Sequence, residues 1–410
     1  MAEVTKTRAV VGQALQEANV NFTNNTEFYI NSDLLAKTGQ ELLNNGVMTN
    51  NFLNLLVNKI GVTLVNQKMY KNPFGIFKKG EMPLGVAVED IFVNPVSAKN
   101  FVSGFNNEFT NTASNVVNYG GLDPFTIEQS DVKVVYYPLN ARVYFKVTIK
   151  FVEVQQAFTD WSKMDNLVNA LVKNLSKSVE IWEFEQTKQL LGTNFEFDTP
   201  TSKSVKVPSQ NEIDWASEFA IKCRNIGLAM RQPSTEFNNW KDWAIANNLT
   251  GVNANPVKTY TDVSDLHLIC LTNVVANIDI NVLATSFNID KAEFLGNVMD
   301  MVNFGEYLDE NGQQVIEQYP ENPEVGKKYH TTGYNGVYDY VDDDGKRHHV
   351  ELFGYIIDEH FIQIWETYNA VTNIENPVSL YRNYFKHLWE VFALCPFANA
   401  VALYSDDIVE

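Results

Sequence analysis

The densest group of candidate metal ligands or acid–base residues is DDDGKRHH, residues 342–349. Three carboxylates and two imidazoles form a donor set that suits a divalent ion. Asp344-Gly345 is also a hairpin-turn pair, because both residue types tolerate positive φ. In a strand, His348 and His349 point to opposite faces and cannot meet one ion. The run is therefore read as a solvated turn. Asp279 and Asp290 lie on or beside an expected helix with no histidine nearby in sequence. His267 falls in a buried strand, where a satisfied core histidine is expected. Asp358, Glu359 and His360 follow an apolar strand as a turn. Cys223, Cys270 and Cys395 are odd in number, far apart and each in apolar company. They read as buried thiols of a chain made in a reducing cytoplasm. No phosphate-cradling glycine loop, nucleophile elbow or paired-cysteine zinc pattern occurs. No catalytic, cofactor-binding or metal-ligating residue is assigned.

Charge narrows the classes further. The 410 residues carry a formal net charge of −19. Residues 1–100 hold nine basic and eight acidic side chains, whereas residues 301–410 hold six and nineteen. The acidity thus sits toward the C-terminal end, where it is expected to face solvent. Binding nucleic acid by neutralising phosphates needs clustered Lys and Arg. Only Lys68, Lys71, Lys78 and Lys79 form a small basic group. The start, MAEVTKTRAVVGQ, lacks the apolar run of a signal peptide. No stretch reaches the roughly 20 apolar residues that span a bilayer, so a soluble chain of two or three domains is expected.

The elements that must position these residues are organised around 157–192. Trp161, Met164, Val168, Leu171, Leu175, Val179 and Trp182 recur in steps of three and four, which is one helix face. Thr159 or Asp160 can cap the start, and Gly192 is expected to end it. Such a helix is about 50 Å long. No single small core covers that rod, so it is a strut between modules or is shared with neighbouring chains. Ahead of it, residues 1–45 read as an extended arm with a short helix, and 49–60 as a helix capped by Thr49. Residues 65–138 read as a ribbon with strands at 82–95 and 131–138 and little apolar material of its own. A lone two-stranded ribbon is marginal in water. Residues 140–154 alternate cleanly, as a strand with one buried face. Beyond the strut, helices at 211–231, 238–247 and 276–287 and strands at 266–272 and 296–302 make an α/β unit over 200–304. Residues 305–353, with Asn311-Gly312 and Asp344-Gly345, read as a small acidic β insertion. Residues 354–404 return to aromatic-rich, core-like sequence, although Tyr381, Phe385, Leu388 and Phe392 have helical spacing.

The order of arm, ribbon, alternating strand, strut, α/β unit and aromatic strand pair resembles the major capsid protein of tailed bacteriophages with the HK-ninety-seven-like fold. FNIDKAEFLGNVMDMVNFG (287–305), YIIDEHFIQIWE (355–366) and NPVSLYRNYFKHLWEVFALCPFANAVALY (376–404) are similar to coat proteins of small podophages of the phi-twenty-nine-like group. Pro396, Phe397, Ala398, Asn399 and Ala400 carry that likeness most strongly. The resemblance implies an α+β fold with 1–64 as N-terminal arm and helix and 65–138 as the extended loop overlapping a neighbour. It implies 139–199 as a peripheral domain around the spine helix, 200–304 as the axial domain and 354–410 as strands completing both cores. It places strands at 380–395, against the helical spacing. It leaves 305–353 as an insertion of unassigned role. The implied function is a non-enzymatic coat subunit of the virion, assembling as pentamers and hexamers into the head shell. A scaffolding protein and a portal would be partners, packaged double-stranded DNA would be touched weakly and non-specifically, and no membrane or cofactor is implied. The alternatives are another phage structural part, in the tail or at the portal, or an α/β enzyme with a scattered site.

Overall fold

The computed structural model describes residues 6–17, 32–43, 51, 52, 55, 70–82, 87–96, 130–210, 215–278, 297–376 and 378–409. Two twelve-residue helices open it, α1 (Lys6–Glu17) and α2 (Ser32–Leu43). The described part of the arm is therefore helical rather than extended. Val11, Ala14, Leu15, Leu35 and Leu42 recur at helical spacing and are fully buried. In α2, Gly39 approaches Phe158 so closely that a Cβ would lie 2.5 Å from that side chain. The expected helix over 49–60 falls mostly outside the described residues, but Phe52 is buried with its ring 5.7 Å from Phe158.

A 3-10 turn at Pro73–Phe77 leads into β1 (Lys78–Glu81). Next come β2 (Ala87–Val93) and β3 (Val132–Pro138), which pair antiparallel as a two-stranded ribbon. The single strand expected over 82–95 is thus shorter. The Met82 N–H donates to the Glu366 carbonyl, so the chain up to that point belongs to another sheet. Strand β4 (Ala141–Lys150) stops four residues before the expected end, because Phe151–Ala157 forms a separate helix, α3. The Lys150 N–H donates to Glu153 there, which fixes the helix start.

The strut itself is α4 (Trp161–Glu196), 36 residues and so about 54 Å long. Asp160 holds the N-cap position, with its carbonyl accepting the Lys163 and Met164 N–H groups. Gly192 does not end this helix. A Cβ there would lie 2.2 Å from the Phe304 carbonyl oxygen and 2.6 Å from Asn335 Cβ, so the glycine permits close packing of a neighbouring segment.

The remaining elements are β5 (Lys203–Lys206), α5 (Trp215–Met230), α6 (Trp240–Ala246), β6 (Leu266–Leu271) and α7 (Thr272–Ile278). After them come β7 (Val298–Met301), β8 (Val337–Val341), β9 (Arg347–Asp358), β10 (Ile362–Asn376), β11 (Tyr381–Leu394) and β12 (Ala400–Val409). The helix expected at 276–287 starts earlier, at Thr272, and residues 279–296 are outside the described set. The stretch with helical spacing, 381–394, is a strand.

One sheet has the order β1-β10-β11-β4; a larger one has β5-β12-β9-β6-β7, with β8 added on β9. The C-terminal strands therefore serve both. Strand β6 lies between β9 and β7, and all six of its residues are buried, as its continuous apolar run requires. Helix α4 crosses both sheets. Trp182 meets Phe145 and Phe392 of the four-stranded sheet at ring distances of 6.2 and 5.5 Å. Farther along, Phe195 meets Tyr404 at 5.5 Å, and the Leu191 carbonyl accepts the Tyr355 hydroxyl at 2.9 Å.

Candidate assembly surfaces

The residues with the greatest chemical potential are drawn into structural contacts. His348 and His349 part, as strand geometry requires. His348 Nδ1 lies 2.7 Å from Asp406 Oδ1 on β12, and Nε2 lies 3.1 Å from Asp342 Oδ2. Hydrogen bonding to Asp406 and then to Asp342 raises its pKa. His349 Nδ1 faces Asp339 Oδ1 at 2.6 Å, and Asp339 also pairs with Arg347. Asp342 Oδ1 accepts the Asp344 and Lys346 N–H groups and so closes the hairpin turn. These contacts tie β8, β9 and β12 together. The other end of the 305–353 segment is held by α4: Glu196 accepts the Gly336 N–H and lies 3.4 Å from His330. Burial pushes Glu196 up to about 7.

The remaining candidates are scattered. Asp279 and Asp290 lie outside the described residues. His267 is buried edge-on against Phe77 at 5.3 Å, and burial lowers its pKa. It is not fully satisfied, since its Nδ1 makes no hydrogen bond. Asp358 accepts the Thr261 hydroxyl and the His360 N–H, which shapes a turn. All three cysteines are buried and free, and burial pushes each thiol up.

Among the described residues of the sequence cluster Lys68, Lys71, Lys78 and Lys79, Lys78 and Lys79 are paired with carboxylates and do not form a basic patch. Lys68 is outside the described residues. Lys79 pairs with Glu359 at 3.0 Å. Lys78 turns inward, where its Nζ lies 2.8 Å from Glu390, 3.0 Å from Glu183 and 3.0 Å from Glu366. Those carboxylates come from β11, α4 and β10. Glu183 and Glu390, which accept from Lys78, are 105 and 312 residues from it in sequence, so no local motif announces the group. The one sequence signal is acidic residues inside aromatic-rich, core-like strands. Burial disfavours the Lys78 ammonium, but Glu390 and Glu183 outweigh that and raise its pKa. Glu390 is fully buried; desolvation and then Glu183 push it up to about 8. Lys386 stands nearby, its pKa lowered by burial.

Above this root, the ribbon shows two unlike faces. Val88, Val135 and Tyr137 turn into the core, and Phe92 stacks on Phe397 at 5.5 Å. Asp90 accepts from Tyr137 and from the Cys395 thiol. Asn94 donates to the Pro256 carbonyl and accepts the Lys258 N–H. The other face carries Ile91 opposite Val134 and Val93 opposite Val132, with Tyr136 opposite Glu89. Ile91, Val93 and Tyr136 are 56%, 55% and 63% exposed. The ribbon is therefore anchored by its inner side and bare on its outer side.

Comparison with known proteins agrees with this architecture. The family described as Phi29-like phage major capsid protein matches residues 13–404. The major capsid protein of Bacillus phage PZA is 24% identical over 377 residues, covering 92% of this chain and 68% of that protein. That of Bacillus phage B103 is 26% identical over 391 residues, covering 94% and 71%. Among solved structures, the capsid of Staphylococcus phage Andhra has a similar fold. It overlays with a TM-score of 0.56 at 11% identity over 82% of this chain and 85% of its own.

Proposed function

The chain belongs to the phi29-like phage major capsid proteins, structural proteins of the virion that build the head shell, and we propose that it closes the shell through surfaces that only further copies cover. The observation carrying this reading is the bare outer side of the ribbon. Cross-strand apolar pairs stabilise a sheet by burial, and contiguous exposed apolar patches mark interaction sites. Each copy offers the same patch, so symmetry repeats a modest interface many times.

In this reading, residues 139–199 with α4 form the peripheral part, and 200–304 form the axial part that meets its equivalents in pentamers and hexamers. The C-terminal strands lock both to one strut. A scaffolding protein and a portal act as assembly partners. Packaged double-stranded DNA touches the wall weakly, because a chain of net charge −19 repels phosphate. No described helix is long and apolar enough to cross a membrane. The subunit works by burial of surface rather than by turnover.

The test separates the ribbon from its root. Residues 70–82 belong to the body through β1, so the informative deletion is 97–129, replaced by a short Gly-Ser linker. The expected product is a folded subunit by circular dichroism that forms no shells in electron micrographs. Ile91→Asp, on the described face, should lower shell yield in the same direction. Shells at undiminished yield from both variants would remove the ribbon from the interface.

A further inference from the structure

The face of the four-stranded sheet turned away from α4 is chemically unlike the rest of the chain. Along β4, Arg142, Tyr144, Lys146 and Lys150 are all exposed on that face. Their neighbours on β11 are rings: Arg142 lies 5.3 Å over Trp389, and Lys146 lies 5.9 Å from Phe385. Tyr144 packs edge-on to Phe385 at 5.8 Å while remaining 63% exposed. Tyr368 on β10 extends the row, 4.7 Å from Trp389. His387 sits within it, bonded to Thr372. On this face the in-register positions of β4, β11 and β10 carry no carboxylate, the exposed Glu375 of β10 lying on the opposite face beside Arg382, in a chain with 50 acidic and 31 basic side chains.

The complement lies elsewhere in the same chain. Residues 305–353 hold eleven acidic and four basic side chains. Their exposed part interleaves Asp309, Glu310, Glu321 and Glu324 with Leu308 and Ile316, the latter 66% exposed. Within its own subunit this segment is bound to α4 and to the six-stranded sheet, through Glu196, Lys328 and Asp406. Its acidic, apolar-studded surface remains outside.

We propose that the cationic, aromatic face of the four-stranded sheet docks the acidic 305–346 segment of a second copy. The two surfaces match in charge and in apolar content: rings receive Leu and Ile side chains, and Arg142, Lys146 and Lys150 meet carboxylates. Nucleic acid is the weaker fit, because three separated cations on a strongly acidic chain neutralise few phosphates. This docking rests on the shell-building function above.

Two measurements on full-length chain test it. In shells assembled from mixed isotope-labelled and unlabelled copies, a carbodiimide crosslinker should join Lys146 or Lys150 to a carboxylate of 305–346 between copies. The triple variant R142E/K146E/K150E, shown to be folded by circular dichroism, should form shells at least tenfold less well. Adding D309K/E310K/E321K/E324K to that same chain should restore them. Undiminished assembly of the triple variant overturns the proposal, as does failed restoration with no cross-copy link. Retardation of a DNA fragment by the unaltered chain but not by the triple variant, with assembly unchanged, gives the face to nucleic acid instead. If the unaltered chain forms no shells even when coexpressed with its scaffolding protein, the shell-building reading itself fails.

Discussion

Two regions of this subunit place a cation between carboxylates, and their surroundings differ. At the ribbon root, Lys78 is shared by Glu183, Glu366 and Glu390, of which Glu390 is wholly removed from water. At the insertion, His348 is shared by Asp342 and Asp406 beside an exposed turn, with Lys206 also reaching Asp406. The first joins β1, α4, β10 and β11; the second joins β9, its turn and β12. In the root, burial leaves the glutamates only Lys386 to turn to if the Lys78 ammonium is lost. In the insertion, water can. The same chemistry should therefore be indispensable in one place and dispensable in the other.

The sharpest way to break that contrast is Lys78→Met. It removes the ammonium that bridges Glu183, Glu366 and Glu390, a loss of about 3–5 kcal/mol for a broken buried pair. Denaturant titration of the isolated subunit measures it, and a loss below about 1 kcal/mol would make the root no different from a surface pair. Gly192→Ala comes next. It tests the strut that connects the two regions, since a Cβ would meet the Phe304 carbonyl at 2.2 Å. Overpacking of this kind costs about 1–3 kcal/mol. Its thermal midpoint should fall although alanine is the better helix former.

How much of this could be read beforehand depends on the range of the contacts. The alternation of β4 and the apolar run of β6 were legible because burial of a strand imprints a local pattern. The length of α4 was legible for the same reason. The end of that helix was misread, because Gly192 answers to Phe304 and Asn335, more than a hundred residues away, and not to its own turn. The spacing of Tyr381, Phe385, Leu388 and Phe392 suits either a helix or a long strand, and only the family's element order separated them. Lys78 looked like part of a basic group because its neighbours in sequence are basic. Its true neighbours are supplied by three distant elements. The cationic, aromatic sheet face was hidden likewise, half of it on β4 and half on β10 and β11.

Titration sharpens the comparison at smaller energies. Glu390 has its folded pKa raised to about 8 from the ordinary carboxyl value of 4.5. Its protonated form is the one the fold favours, so its contribution is complete below about pH 4.5 and is lost as pH rises toward 8. His348 is also raised, from 6.5. Its contribution is complete below that value and is lost as pH rises through its folded pKa. Both regions therefore weaken toward alkali, but over windows that begin about two pH units apart. Glu390→Gln should flatten the stability curve between pH 4.5 and 6.5 and leave in place the loss that begins near 6.5. The converse change, His348→Gln, should leave the earlier slope intact and remove only the loss that begins near pH 6.5. It should cost no more than about 1 kcal/mol at pH 6, the smallest effect here, because water replaces the imidazolium at Asp342 and Asp406. Stability measured across pH 4–9 for the two variants decides the matter, and identical curves would mean that the root and the insertion titrate as one unit through α4.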